Sequence, residues 1–356
     1  MKQLYQIHNI GVFIDDTDKA WMEHIIGNLK VQFDGFEIYN GIRDIEYKLI
    51  IKNMKELEDR NDAIVVPECS YFYSGAIMRS EYSGVAYQDG EKTVTVWTSD
   101  ETWYAPYLLE MLFLKQGITF VHGASVAVDN NSGKLILAFG GIGKTCFIAN
   151  AAKKDRVSLL GDDLILVSKT GELYSYPRPF CLYEYHKALF PQYFKQHDVK
   201  YVHIEDNMYF KRGIRKAKKI LHIEDKSIYS YLTVPPVKLF PSDKIQINPV
   251  KLDDIFIMRR NQASDTVRIS MDGYNVTMAT NFALNVILHE WDVGLKIVLN
   301  YHAQQFKDIG EYIDPRRDIL KEAFSKAKSI SCVDIPEKMP AAEVSKALNE
   351  VILEGI

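Results

Sequence analysis

Ala138-Phe139-Gly140-Gly141-Ile142-Gly143-Lys144-Thr145 stands between two apolar runs, Lys134 to Phe139 and Cys146 to Ala152. The first run reads as a buried strand and the second as the opening of a helix. Glycines in that setting let the backbone curl so that successive N–H groups point inward, forming an anion-binding nest at the positive end of a helix. Gly140, Gly141, Ile142, Gly143, Lys144, Thr145 and Cys146 are therefore the candidate binding residues for a nucleotide phosphate tail, with Lys144 reaching the β- and γ-phosphates and the Thr145 hydroxyl on a metal ion. The usual first glycine is Ala138 here. That exchange is harmless if the residue keeps strand dihedrals and costs roughly 1–2 kcal/mol if it must be left-handed.

Seventeen residues after Thr145, the run Leu159 to Val167 sets Asp162 and Asp163 side by side in an apolar strand. Burying two carboxylates without a counter-charge costs several kcal/mol, so a cation is expected beside them. Lys144 and Mg²⁺ meet that need. Side chains alternate along a strand, so the two acids share a target only at a strand end or a bend. Upstream, His122 lies in Phe120-Val121-His122-Gly123, on the strand before the phosphate-loop strand.

The bulk properties narrow the setting. The chain has 356 residues, 25% of them charged and 47% apolar, with a net charge of −4. This is a core-forming composition with no general attraction for nucleic acid. The cationic run Lys211 to Lys219 reads as a solvated face. Cys69, Cys146, Cys181 and Cys332 form no CxxC pair, so reduced thiols and a cytoplasmic location are expected. The amino terminus lacks a secretory pattern, and the longest apolar patch, Ala105 to Phe120, is broken by Glu110 and Lys115, which predicts no contact with a membrane.

Two regions follow. Residues 1–104 alternate short apolar runs with turns (Ile10–Ile14, Tyr47–Ile51, Ala63–Val66, Gly84–Ala86-Tyr87, Thr93–Trp97), with a helix near 17–28 and a hairpin signal at Asp89-Gly90. They predict a smaller β-rich α+β domain for recognition or oligomer contact. Residues 105–356 read as a helix, a strand over Thr119–Val128, the phosphate-loop strand, a strand near Leu173–Tyr176, long loops over 177–250, strands at Ile255–Met258 and Asn275–Met278, a helix at 281–290, and a terminal amphipathic helix after Pro340.

The order strand-His-Gly, strand with GGxGKT loop, then GDD resembles the HPr serine kinase family over about residues 105–180, and more distantly the phosphoenolpyruvate carboxykinases. The chain lacks the family's later arginine-glycine signature of the form E-x-R-G-x-G-I, which is tied to phospho-HPr. It looks more like the divergent single-chain kinases of peptide-modification clusters, including those for lasso-peptide precursors. The resemblance implies an α/β fold: a P-loop kinase domain of the HPr kinase/carboxykinase type with a mixed β-sheet over 105–356, behind the 1–104 domain. It further implies ATP and Mg²⁺ as cofactors. Lys144 and Thr145 would bind phosphate and Mg²⁺, and Asp162 and Asp163 would divide between general base and metal ligand. The expected arrangement has Asp162 as base, Asp163 on the metal and His122 beside the transferring group, with the two aspartates exchangeable. Arg178, Arg212 and Arg215 are candidates to stabilise the transferring charge.

The function this predicts is transfer of the γ-phosphoryl group of ATP to a hydroxyl, most naturally a serine of a peptide or protein. The alternatives are a small-molecule kinase acting on free serine or a sugar, and a nucleotide-binding regulatory switch without catalysis. A homo-oligomer is compatible with the sequence. Loss of Lys144, read as an exposed loop residue, is expected to abolish labelling while leaving the protein folded.

Overall fold

Period-two burial builds the first sheet. Along β1 (Lys2–Ile7), β2 (Ile10–Asp15) and β3 (Tyr47–Asn53), the side chains of Ile10, Val12, Ile14, Leu49 and Ile51 fill one face and are fully buried. The helix α1 (Lys19–Phe33) covers that face with Ile25, Leu29 and Phe33, and its first turn is capped by Asp18, which accepts from the Trp21 N–H at 3.1 Å. The sheet continues through β4 (Ile64–Val66), β5 (Tyr71–Ser74), β6 (Ile77–Ser80), β7 (Val85–Asp89) and β8 (Thr93–Thr98) in the order β1-β2-β3-β8-β7-β6-β5-β4. The Asp89-Gly90 signal falls at the β7–β8 hairpin, where the Gly90 N–H donates to the Thr93 carbonyl at 2.9 Å. This computed structural model describes residues 1–39, 44–57, 64–66, 71–74, 77–80, 84–100, 102, 104–197, 231–291, 295, 299, 303 and 306–354.

A helix apolar all round, α2 (Ala105–Leu114), leads into the second sheet and packs on both. Its one buried acid, Glu110, accepts from the Thr119 hydroxyl at 2.7 Å and pairs with buried Arg316. The second sheet opens with β9 (Ile118–Val128), whose eleven residues are all buried. A strand covered on both faces needs such a continuous apolar run. Next come β10 (Ser132–Leu137), the helix α3 (Lys144–Ala151), β11 (Val157–Gly161), β12 (Leu164–Ser168) and β13 (Glu172–Tyr174). A separate small sheet pairs β14 (Phe180–Leu182) with β15 (Leu232–Val234), the short helix α4 (Pro191–Gln196) lying between them in the chain.

The remaining elements are β16 (Val250–Asn261), β17 (Arg268–Ser270), α5 (Val276–Glu290), α6 (Gly310–Phe324), β18 (Ser329–Pro336) and α7 (Ala341–Ile352). β10 sits between β9, antiparallel, and β16, parallel; β18 runs parallel to β16, and β17 closes that edge antiparallel. One face of the sheet packs on α3 and α7 through Phe147, Ile148, Val344 and Leu348. The other packs on α5 and α6 through Ala279, Ala283, Leu320 and Phe324. The architecture is α/β with mixed sheets, and β10 delivers the glycine-rich loop from the middle of three layers.

Two expectations change. Asn275–Met278 is not a strand: Asn275 caps α5, its side chain accepting from the Met278 N–H at 3.1 Å, so the β-branched pair Val276-Thr277 begins a helix. The described parts of 177–250 are not only loops, since they include the β14–β15 pair and three short 3₁₀ turns. The two halves also share one continuous core, which runs from Ile7, Val12 and Phe36 through Leu109 and Phe113 to Phe120, Leu166 and Trp291. Cys146, Cys181 and Cys332 are free thiols, whereas Cys69, Ala63 at the head of its predicted strand, and the run Lys211 to Lys219 with Arg212 and Arg215 lie outside the described residues. Among the described residues no helix is long and apolar enough to cross a membrane.

Candidate active site

Beyond Leu137 the chain leaves the sheet and curls into α3. Gly141 has φ 75° and Gly143, which caps the helix, has φ 131°, both in the region that L side chains avoid. Ala138 is fully buried and does not have a positive φ, so its methyl joins the core under α3 without strain. Ile142, expected among the binding residues, packs against the α3–α7 core and does not line the cavity that its glycine neighbours line. Gly140, Gly141, Gly143, Lys144, Thr145 and Cys146 all line a cavity of about 570 Å³, which His122, Asp162, Asp163 and Glu290 also line.

Lys144 is buried, at 7% exposure, and this corrects its reading as an exposed loop lysine. Its ammonium group donates to the carbonyls of Ala138 at 3.2 Å and Phe139 at 3.1 Å, closing the loop on itself, and lies 3.4 Å from His122 Nε2. Burial lowers its pKa, and the charges of Asp162, Asp163 and Glu290 oppose that shift.

The two aspartates occupy a break in a strand. β11 and β12 pair with the same edge of β9, the register slipping at Leu160, and residues 162–163 bridge them. Asp163 has φ 75°, and the Leu164 N–H donates to the Asp162 carbonyl at 3.0 Å, closing a three-residue turn. A non-glycine residue held at such a φ is strained, and strain of this kind gathers at functional sites. The turn cancels the usual alternation, so both carboxylates face the cavity. It is fastened to β9 by the Gly123 N–H, which donates to the Asp163 carbonyl at 3.1 Å.

Their surroundings differ sharply. Asp162 is 5% exposed; one oxygen accepts from the Thr145 hydroxyl at 2.6 Å, and the other, Oδ1, is buried with no hydrogen-bond partner among the described residues. Burial pushes its pKa up to about 6 against the pull of Thr145 and Lys144. The Asp163 side chain is 45% exposed and is gripped from both sides, by His122 Nε2 at 2.8 Å and by Arg178 Nη1 at 2.9 Å. Desolvation raises this carboxyl, but the His122 hydrogen bond and the Arg178 and Lys144 charges outweigh it and hold the group well below the usual carboxylate range. The bond to Asp163 places the His122 proton on Nε2, while Nδ1 points toward Glu290 Oε1, 3.8 Å away.

Sequence reasoning missed Glu290, Arg260, Tyr183 and Tyr185, which all line the cavity. Glu290 ends α5, and its carboxylate accepts weakly from the Gly140 N–H at 3.4 Å. An acid at a helix C-terminus opposes the helix dipole, and that mismatch was a signal available in the sequence. Arg260, next to the last residue of β16, is visible only once β16 and β18 are aligned, since it donates to the Pro336 carbonyl at 2.8 Å. Of the arginines singled out, Arg178 stands at the site, and Arg212 and Arg215 lie outside the described residues.

The N-terminal sheet reaches this site through the segment that carries Arg178. His8 Nε2 donates to the Ser175 carbonyl at 2.7 Å, and the Phe36 ring meets Tyr176 edge-on at 4.8 Å. A Cβ on Gly35 would overlap the Pro177 carbonyl oxygen. These contacts fix residues 175–177 and, through them, the start of the Arg178 side chain. Comparison of the chain with models of protein families finds no match, and comparison with curated proteins finds none.

Proposed function

We propose that this chain is an ATP-dependent kinase of the kind its motifs resemble, one that moves the γ-phosphoryl group to a serine hydroxyl of a peptide or protein. The observation that carries this reading is the 2.6 Å bond between Thr145 of the glycine cradle and buried Asp162, with Asp163 turned into the same cavity. Phosphoryl transfer asks a protein chiefly for positioning and for neutralisation of charge. The main-chain N–H groups of residues 140–144 and the Lys144 ammonium supply the second, and the bent acid pair supplies the first.

The environments of the acids favour the exchanged assignment. Asp162, buried with an unpartnered oxygen beside the Thr145 hydroxyl, suits a divalent cation. Among the described residues no group of three or more His, Cys, Asp or Glu forms a cation cage, so Mg²⁺ would rest on Thr145, Asp162 and the phosphates it accompanies. Bound there, it would offset the negative charge on the phosphate oxygens. Asp163, ionised and half exposed, takes the proton of the acceptor hydroxyl late, once the forming O–P bond has made it strongly acidic and the bond from the γ-phosphorus to its bridging oxygen is breaking, the electron pair leaving with ADP. Arg178 and His122 hold that carboxylate in place.

One observation favours the switch reading: Glu290 lies on the Gly140 N–H, where a phosphate oxygen would displace it. Incubation with γ-labelled ATP and cell extract, followed by mass spectrometry for an added phosphoryl group, separates the two. A labelled acceptor supports the kinase. Nucleotide-dependent complex formation with no labelled acceptor supports the switch and overturns the kinase.

A further inference from the structure

Two exposed tyrosines, Tyr183 and Tyr185, line the same cavity, and a third, Tyr231, stands beside Tyr183. Tyr183 is 41% exposed, Tyr185 53% and Tyr231 43%. The rings of Tyr183 and Tyr185 lie parallel, 4° apart at 5.6 Å, and the Tyr231 ring stands 5.6 Å from Tyr183 across the β14–β15 pair. Exposed aromatic surface grouped in this way marks a contact site. Phe180 and Leu182 of β14 point into the core while Cys181 points out, and Cys181 and Tyr183 both line the cavity. The alternation that buries the first pair therefore presents the second to whatever lies beside Asp163.

The spacing identifies the class of ligand. Arg178 holds Asp163, and Pro179, Cys181 and Tyr183 follow along the cavity wall at every second residue. From Pro179 to Tyr183 an extended chain covers about 13 Å, the reach of roughly four residues of another extended chain. Free serine is too short to touch both ends.

We infer that the acceptor is an extended peptide lying along β14, its hydroxyl at Asp163 and an aromatic side chain three or four residues away on the Tyr183–Tyr185 face. This rests on the kinase reading, but binding tests it without turnover. The probes are three fluorescein-labelled nine-residue peptides with a central serine. One carries Phe three and four residues from the serine on both sides, one carries Phe only next to it, and one carries Ala throughout.

Fluorescence polarisation without nucleotide should show the distal-Phe peptide binding three- to tenfold more tightly than either control, with the same order in kcat/KM. Tyr183→Ala, and separately Tyr185→Ala, should bring it down to the alanine peptide while MgATP affinity stays within twofold. Equal binding of the three peptides, or free serine phosphorylated as efficiently as the distal-Phe peptide, overturns the inference. A tenfold loss of MgATP affinity in Tyr183→Ala also overturns it, placing a nucleobase on the tyrosines. Distal-Phe binding with no phosphorylation supports the platform and removes the kinase reading instead.

Discussion

Asp162→Asn should make the protein more stable while disabling it. Asparagine has the shape and neutrality of the protonated acid and can still accept from Thr145. The wild-type carboxyl is raised from 3.8 to about 6 because burial disfavours its charge. A group whose folded pKa is raised contributes stability that is fully present below its unfolded value and is lost as pH rises through the folded one. For Asp162 the loss runs from about pH 4 to about pH 6, and reaches on the order of 3 kcal/mol at neutral pH. The variant does not incur it. With an unfolding entropy of roughly 2.1 cal/mol/K per residue, 3 kcal/mol is about 4 °C in Tm for a chain of this size. Scanning calorimetry of both proteins without nucleotide, at pH 5 and pH 8, should show the variant ahead by about 4 °C at pH 8 and by about half that at pH 5. Added MgATP should raise the wild-type Tm and leave the variant where it is. A variant less stable at pH 8, or a gap that does not change with pH, refutes the argument that this carboxylate is buried without its counter-ion.

Lys144→Ala removes the donor to the Ala138 and Phe139 carbonyls and a counter-charge shared by three nearby acids, so it should abolish phosphoryl transfer and lower stability by about 1–3 kcal/mol in denaturant titration. Gly35→Ala drives a methyl into the Pro177 carbonyl and should cost about 1–3 kcal/mol, with kcat reduced through Arg178 and the Kd for MgATP unchanged; equal losses in both would remove the link to Arg178. Glu110→Ala strands Arg316, which is 2% exposed, and should destabilise by about 3–5 kcal/mol in urea, whereas Glu110→Ala with Arg316→Met should recover much of that.

The glycine-rich loop, its strand and its helix were legible because glycine, buried β-propensity and helix propensity agree over residues 134–152. In the N-terminal half β2, β3, β4, β7 and β8 were legible as short apolar runs between turns, whereas β1, β5 and β6 were not singled out. Asn275–Met278 misled because two β-branched residues imitate a strand while the deciding fact, a side-chain cap, is a hydrogen bond. That the two acids share one target was readable, but the difference between their surroundings was not. That depends on which carboxylate the Asp163 turn buries, and a positive φ at a non-glycine residue leaves no mark in composition. Glu290 was missed because it reaches the cavity from the end of α5, remote in sequence, and Tyr183 because it follows β14 in a stretch read as loops. Likewise, the shared core of the two halves appears only when α2 is seen to pack on both sheets.

The central claim is that the cradle at residues 140–145 and Asp162 together hold a metal-bound triphosphate. Isothermal titration of ATP into the wild-type protein, with Mg²⁺ and then with EDTA, tests it most directly. The account predicts one saturable site whose affinity falls at least tenfold when Mg²⁺ is withheld. Absence of heat with MgATP, or an affinity indifferent to the metal, would contradict it.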